Sequence, residues 1–287
     1  MTRPSRVSPI EIVPGVRCGD GEPLLVIAGT CVVESRDSAM RHAQALREFT
    51  AELDLPLVFK ASYDKANRTS GQSFRGLGID AGLSILDEIR RHFEMPVTTD
   101  VHETTQVSAV AEVCELLQIP AFLARQTDLV MAAAATGRAV NVKKGQFMAP
   151  WDMKNVVAKI RQSGNQRILL TERGTTFGYG LLVNDFRSIP WMQETECPVI
   201  FDATHSVQTP GGLGDRTGGD RRMVPVLARA AVAAGCDGLF LETHPDPDRA
   251  PSDGPNMIPL AQLPELMETC LRIHAALPTR TETKVLP

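Results

Sequence analysis

The chain has 287 residues and a formal net charge of -4, with 43% hydrophobic and 22% charged residues. That length allows one large domain or two small ones, and that composition belongs to a globular protein with a sizeable core rather than to a disordered chain. The acidic balance argues against a nucleic-acid groove, and the longest wholly apolar run, Leu129 to Ala135, falls far short of the roughly 18 residues a membrane helix needs.

The first residues lack an apolar targeting core, so a cytoplasmic location is expected. Ile10 to Val16, followed by the glycine-rich Arg17–Gly21 stretch, reads as a short hairpin able to plug one end of a barrel. Short runs rich in Val, Ile and Leu then alternate with helix-period segments. Strands are expected at 24–29, 55–61, 96–101, 116–120, 139–144, 167–172, 198–203 and 238–243. Helices are expected at 38–53, 81–93, 104–114, 127–136, 152–163, 184–193, 221–234 and 260–276. Eight strand–helix units without a dividing linker predict one α/β domain over 1–287, a (β/α)8 TIM barrel. Its N-terminal hairpin falls at about 8–22 and a frayed tail at about 279–287. No GxGxxG turn follows a strand, which weighs against a doubly wound open sheet.

Function in such a barrel sits where strands end at the C-terminal face. One group there is cationic: Lys60, Lys65, Arg68, Arg125, Lys143, Lys144 and Arg173. Like charges gathered at one mouth call for anions, and seven exceed what one monophosphate needs, so two anionic substrates or one multiply charged substrate are expected. A Schiff-base lysine stays open as an alternative. A second group, Cys31, His205, Glu242 and Asp253, offers one thiolate, one imidazole and two carboxylates from strands adjacent in a closed barrel. That set suits Zn2+, Fe2+ or Mn2+, against the plainer reading of a buried cysteine beside ion-paired carboxylates. His102 and His244 compete as ligands. The other five cysteines, with no CxxC pair, read as small buried hydrophobes. Two glycine-rich stretches, 174–180 and 210–222, suit backbone contacts to phosphate, and the second also reads as a lid.

The segments FKASYDKANRTS (59–70), TTDVHE (98–103), QIPAFLARQTD (118–128), NVKKGQF (141–147), TERGTTFGYG (171–180), FDATHSVQTPGG (201–212) and ETHPDPDRAPSDGP (242–255) resemble the 3-deoxy-D-manno-octulosonate 8-phosphate synthases. The resemblance runs from about residue 24 to residue 262 and covers every strand end. It implies condensation of phosphoenolpyruvate with D-arabinose 5-phosphate and release of phosphate, toward the sugar of bacterial lipopolysaccharide, on a barrel that assembles as a homotetramer.

Cysteine rather than asparagine after the first strand implies the metal-dependent type, with Cys31, His205, Glu242 and Asp253 as ligands. Lys60, Lys65, Gln118, Lys143 and Arg173 resemble the phosphoenolpyruvate cradle. Asn67, Arg68 and the hydroxyl of Thr69 resemble the grip on arabinose 5-phosphate. Arg125 is expected to reach the pentose phosphate of a neighbouring subunit, and Asp100 to contact the pentose. Asp202 and His205 are expected beside the reacting centre, and Lys60, Asp100, His205 and Asp253 to take part in catalysis. The nearest alternative is the seven-carbon 3-deoxy-arabino-heptulosonate 7-phosphate synthase, which uses erythrose 4-phosphate. The ANRTS segment after Lys65 favours the pentose, since the alternative has a proline-containing stretch there. A silent sugar-phosphate sensor on the same barrel would bind both ligands without releasing phosphate.

Overall fold

A computed structural model describes residues 7–67, 71–176, 180–212 and 217–278. Arg68 and Thr69 lie outside the described residues, as do 177–179 and 213–216 of the glycine-rich stretches and the tail from 279. The chain opens with an antiparallel hairpin of β1 (Ile10–Val13) and β2 (Val16–Cys18). Its turn is at Pro14 and Gly15, with Gly15 at φ +84°, and not at the expected Arg17–Gly21 stretch. Proline presets the first turn position and glycine takes the positive φ.

The eight barrel strands are β3 (Leu25–Val32), β4 (Leu57–Ser62), β5 (Val97–Asp100), β6 (Leu116–Ile119), β7 (Ala139–Lys143), β8 (Ile168–Glu172), β11 (Val199–Asp202) and β14 (Gly238–His244). Two-residue strands make small hairpins above them, β9 (Thr175–Thr176) with β10 (Leu182–Val183), and β12 (Gln208–Thr209) with β13 (Gly218–Gly219). Each barrel strand pairs in parallel with the next, and β11 closes on β14. The outer ring is α1 (Arg36–Glu52), α2 (Ile79–Phe93), α3 (Val107–Val113), α4 (Thr127–Ala135), α5 (Met153–Gln162), α6 (Ser188–Gln193), α7 (Val224–Ala233) and α8 (Leu263–Ala275). The expected (β/α)8 barrel is therefore present.

Helix starts are where sequence and structure differ. Segments 104–106, 150–152, 221–223 and 260–262 are 3-10 turns that lead into α3, α5, α7 and α8. Such turns are common at helix N-termini, and Pro225 and Pro264 in the first turns of α7 and α8 lack only an N–H that would have no partner there. α6 spans six residues rather than 184–193: after β10 the chain turns at Asp185, which accepts the N–H groups of Arg187 and Ser188, and the helix starts only at Ser188.

Alternation along the strands divides the core in two. Residues facing the helices, such as Val26, Phe59, Val97, Leu117, Val140, Leu170, Phe201 and Leu241, join the helix faces in one large cluster. Residues facing inward at the lower end form a second: Leu25, Ile27, Val58, Leu116, Ala139, Leu169, Ile200 and Phe240. The hairpin closes it from below with Ile10, Ile12 and Cys18, all buried. Each Leu, Ile, Val or Phe side chain removed from water there contributes roughly 1.5–3 kcal/mol. Two residues further along the same strands, the inward positions turn polar: Lys60 above Val58, Gln118 above Leu116, Asn141 above Ala139, Thr171 above Leu169, Asp202 above Ile200 and Glu242 above Phe240. The period of two thus builds a barrel with an apolar floor and a polar upper layer.

One irregularity aims a side chain. The register between β3 and β4 shifts between Gly29 and Val32. A Cβ at Gly29 would lie 1.9 Å from the Lys60 carbonyl oxygen, so the strands approach there as only glycine permits. A bulge of this kind re-aims the next side chain, and here that residue is Cys31.

Candidate active site

A cavity of about 450 Å³ opens at the upper end of the barrel, lined among others by Lys65, Asn67, Asp100, His102, Lys143, Arg173, His205, Gln208 and Asp253. Its size and its mix of apolar and convergent polar groups are those of a small-molecule site. Among the described residues three cations reach it: Lys65, Lys143 and Arg173. Lys60 lies beneath, 1% exposed, with its ammonium on the Cys31 carbonyl at 3.0 Å and on the Glu242 carboxylate. Gln118 is also fully buried, in the polar layer above the apolar floor.

Two of the seven expected cations are elsewhere. Arg125 is exposed on the outer rim and lines a separate cavity with Phe147, Asp152, Asn155 and Lys159. Lys144 follows Lys143 and, by strand alternation, turns outward between the loops after β7 and β8. The expectation that all seven share one mouth therefore fails for these two.

Cys31, Glu242 and Asp253 bring one ligand atom each to within 4.8 Å of one another. The Cys31 thiol is 3.1 Å from both the Ser252 hydroxyl and Asp253 Oδ2. His205 stands beside this trio, its Nε2 3.5 Å from Glu242 Oε2. Its Nδ1 is held by Asp202 Oδ2 at 2.7 Å, which orients the ring and leaves Nε2 for the cluster. Burial pushes the Cys31 thiol far up, and the Asp253 and Glu242 carboxylates push it further. A cation among these donors reverses that balance and stabilises the thiolate. The donor set, S, N and two carboxylates, fits a borderline divalent ion. His244 is not part of it: its Nε2 is 3.3 Å from Glu34 and its Nδ1 accepts the Asp246 N–H. His102 stands against the Tyr63 ring, edge to face at 5.8 Å.

Asp202 is the hub between the two halves of the site. It is fully buried and accepts from Lys143 Nζ at 2.6 Å, from His205 Nδ1 and from the His205 N–H at 2.9 Å. Burial alone would raise its carboxyl, but His205 and Lys143 hold it well below the usual range. Asp100 behaves alike: burial opposes ionisation, and Lys60, Lys65 and Lys143 overcome it. Burial lowers Lys143 and Arg173, so both cations are held in place against a desolvation cost. Lys143 also lies 3.6 Å above the centre of the Phe240 ring, on the apolar floor.

A chain of hydrogen bonds, not anticipated from sequence, runs round half the barrel beneath the cavity. Thr171 Oγ1 donates to Asn141 Oδ1 at 2.7 Å, Asn141 Nδ2 to Gln118 Oε1 at 3.1 Å, and Gln118 Nε2 to Asp100 Oδ1 at 2.7 Å. Ser62 donates to the other Asp100 oxygen at 2.7 Å. The carboxylate accepts only, so it fixes the direction of every bond and the orientation of both amides. The available signal was polar residues at alternate places in apolar strand runs.

Residues 6–277 match the profile of the DAHP synthetase I family. The chain is 58% identical to a 2-dehydro-3-deoxyphosphooctonate aldolase of Bradyrhizobium sp. over 96% of each chain. It is 60% identical to the protein of that name from Rhodopseudomonas palustris, over 92% of this chain and 93% of the other. With the one from Caulobacter vibrioides it shares 54%, over 96% of this chain and 98% of that one. That name denotes a phosphorylated eight-carbon acid with a keto group at C2 and no oxygen at C3, the compound also written as 3-deoxy-octulosonate phosphate. The chain belongs to the DAHP synthetase I family and groups within it with the 2-dehydro-3-deoxyphosphooctonate aldolases.

Proposed function

We propose that the barrel mouth holds phosphoenolpyruvate and D-arabinose 5-phosphate side by side and condenses them with water. The products are 3-deoxy-D-manno-octulosonate 8-phosphate and inorganic phosphate, for lipopolysaccharide biosynthesis in the cytoplasm. The observation that carries this is one cavity lined at once by Lys65, Lys143 and Arg173, by Asn67 and Asp100, by Asp253 of the metal-type cluster and by His205 beside it. The names of the relatives favour the eight-carbon product over the seven-carbon one.

In this reading Lys65, Lys143 and Arg173 offset the charge of phosphoenolpyruvate, with Gln118 and Lys60 supporting it from the polar layer beneath. Asn67, Arg68 and Thr69 hold the pentose phosphate, and Arg125 serves the pentose of a neighbouring subunit. Two mutually repelling anions are thereby brought together, and a bimolecular encounter becomes a unimolecular step. C3 of phosphoenolpyruvate attacks the aldehyde carbon, and the aldehyde oxygen takes up a proton. Water adds at C2 with loss of a proton, and the tetrahedral carbon expels phosphate by C–O cleavage. Asp100, held ionised, accepts from a pentose hydroxyl. Cys31, His205, Glu242 and Asp253 would hold Zn2+, Fe2+ or Mn2+, which supplies Lewis acidity beside the reacting carbons. Phe122, Phe147, Trp151, Leu181 and Val183, large and exposed, support a homotetramer in which they are covered.

Phosphate release by the purified chain tests the reading. Release is expected with phosphoenolpyruvate and arabinose 5-phosphate together and with neither alone. Preference for erythrose 4-phosphate, or binding of both substrates without release, refutes it.

A further inference from the structure

Lys144 and Glu172 are buried charges that the reaction does not use. Lys144 is fully buried on the outer side of the barrel wall. Its ammonium contacts the carbonyls of Gly145 at 3.3 Å, Met148 at 3.4 Å and Gly174 at 3.4 Å, and the Thr175 hydroxyl at 3.2 Å. Glu172 Oε1 lies 3.6 Å from it and accepts the Gly174 N–H at 2.7 Å. The other Glu172 oxygen is buried and unpartnered. Two apolar side chains would fill this gap without the desolvation cost of two ions, so packing alone does not account for the pair. Its contacts do. Gly145 and Met148 belong to the loop after β7, Gly174 to the turn after β8 and Thr175 to the start of β9. The ammonium ties one to the other, and Gly174, at φ +90°, makes the turn that the carboxylate holds.

The residues next to the pair along the two strands are Lys143 and Arg173, which point the other way, into the cavity. We infer that Lys144 and Glu172 are positioning residues. From outside the barrel wall they lock the two strand ends so that Lys143 and Arg173 converge on the same anion. The inference deepens the proposed function and rests on its assignment of these two cations to phosphoenolpyruvate.

The test is steady-state kinetics on Lys144→Met and Glu172→Gln, with folding followed by circular dichroism and thermal unfolding. Lys144→Met is expected to raise KM for phosphoenolpyruvate at least tenfold while KM for arabinose 5-phosphate stays within threefold. The inhibition constant of inorganic phosphate against phosphoenolpyruvate is expected to rise in parallel. Glu172→Gln keeps the shape and the Gly174 bond, and a rise of about threefold is expected. A folded variant with a lowered melting temperature and a phosphoenolpyruvate KM within twofold of the parent overturns the inference. If Lys144→Met does not fold, Glu172→Gln decides alone by the same readings. A parent chain that releases no phosphate counts against the functional reading instead. The pair is then judged by calorimetric binding of phosphoenolpyruvate to parent and variants.

Discussion

Replacing Asp202 by Asn probes the hub of the site. The amide keeps the volume and removes the charge. Two charge-assisted hydrogen bonds are affected, from Lys143 at 2.6 Å and from His205 Nδ1 at 2.7 Å. At about 1.5–3 kcal/mol each, their loss amounts to ~3–6 kcal/mol. The second route to the number treats Asp202 and Lys143, 0% and 7% exposed at the side chain, as a buried pair broken from one side. That costs about 3–5 kcal/mol, because a buried ammonium is left without its directly bonded counterion, with Asp100 as the carboxylate that remains near it. The two ranges meet at ~3–5 kcal/mol, and the amide oxygen, which can still accept one bond, places the expectation near the lower end. Urea unfolding at neutral pH measures it. The same change frees the His205 ring, so affinity for a divalent ion, measured by competition with a chelator, should fall by about 10–100-fold. An unfolding free energy within about 1 kcal/mol of the parent, together with an unchanged affinity, would show that Asp202 neither neutralises Lys143 nor orients His205.

Three further outcomes are expected. Cys31→Ala should lose bound metal and activity together, and a chelator-stripped Cys31→Ala as active as the untreated parent rules out the metal assignment. Ile12→Ala, in the hairpin under the barrel floor, should cost about 2–5 kcal/mol in denaturant unfolding and leave substrate KM values unchanged, since it lies at the opposite end from the cavity; a shifted KM contradicts that separation. His42 is buried against Thr243, and burial, then the charge of His244, lowers it to about 3. Its unfolded value is about 6.5, so the unfolded chain takes up the proton first. Stability is therefore full above that value and is lost as pH falls toward 3, by ~2 kcal/mol at pH 5. The variant His42→Gln should show a flatter decline between pH 7 and 5, and parallel curves for variant and parent would dismiss this contribution.

The barrel was legible because parallel strands covered on both faces leave a plain signal. Runs such as LLVIAG and GLFLET are too short for helices and too apolar for surface strands. The hairpin was legible too, but its turn was misplaced: Pro14-Gly15 competes with a longer glycine-rich stretch, and composition does not say which of two adjacent turns closes a ladder. Lys144 shows a second limit. Adjacent lysines at a strand end face opposite ways, and only the register decides which of them enters the barrel. Asn141 was visible as a polar residue at a strand end, but its role, and Thr171 altogether, were hidden for another reason. They are uncharged, and what they do, handing hydrogen bonds from strand to strand toward Asp100, depends on neighbours far away in sequence. No two members of the Cys31, Glu242 and Asp253 cluster are close along the chain, so local spacing gave no signal, and the expectation came from the order of the barrel strands and from the family resemblance.

The hairpin beneath the barrel carries a consequence for traffic. Ile10, Ile12 and Cys18 stopper the lower end, so among the described residues the polar layer opens through the cavity at the upper end. A group that settles deepest in that layer therefore has the cavity mouth, and not the hairpin end, as its way in and out.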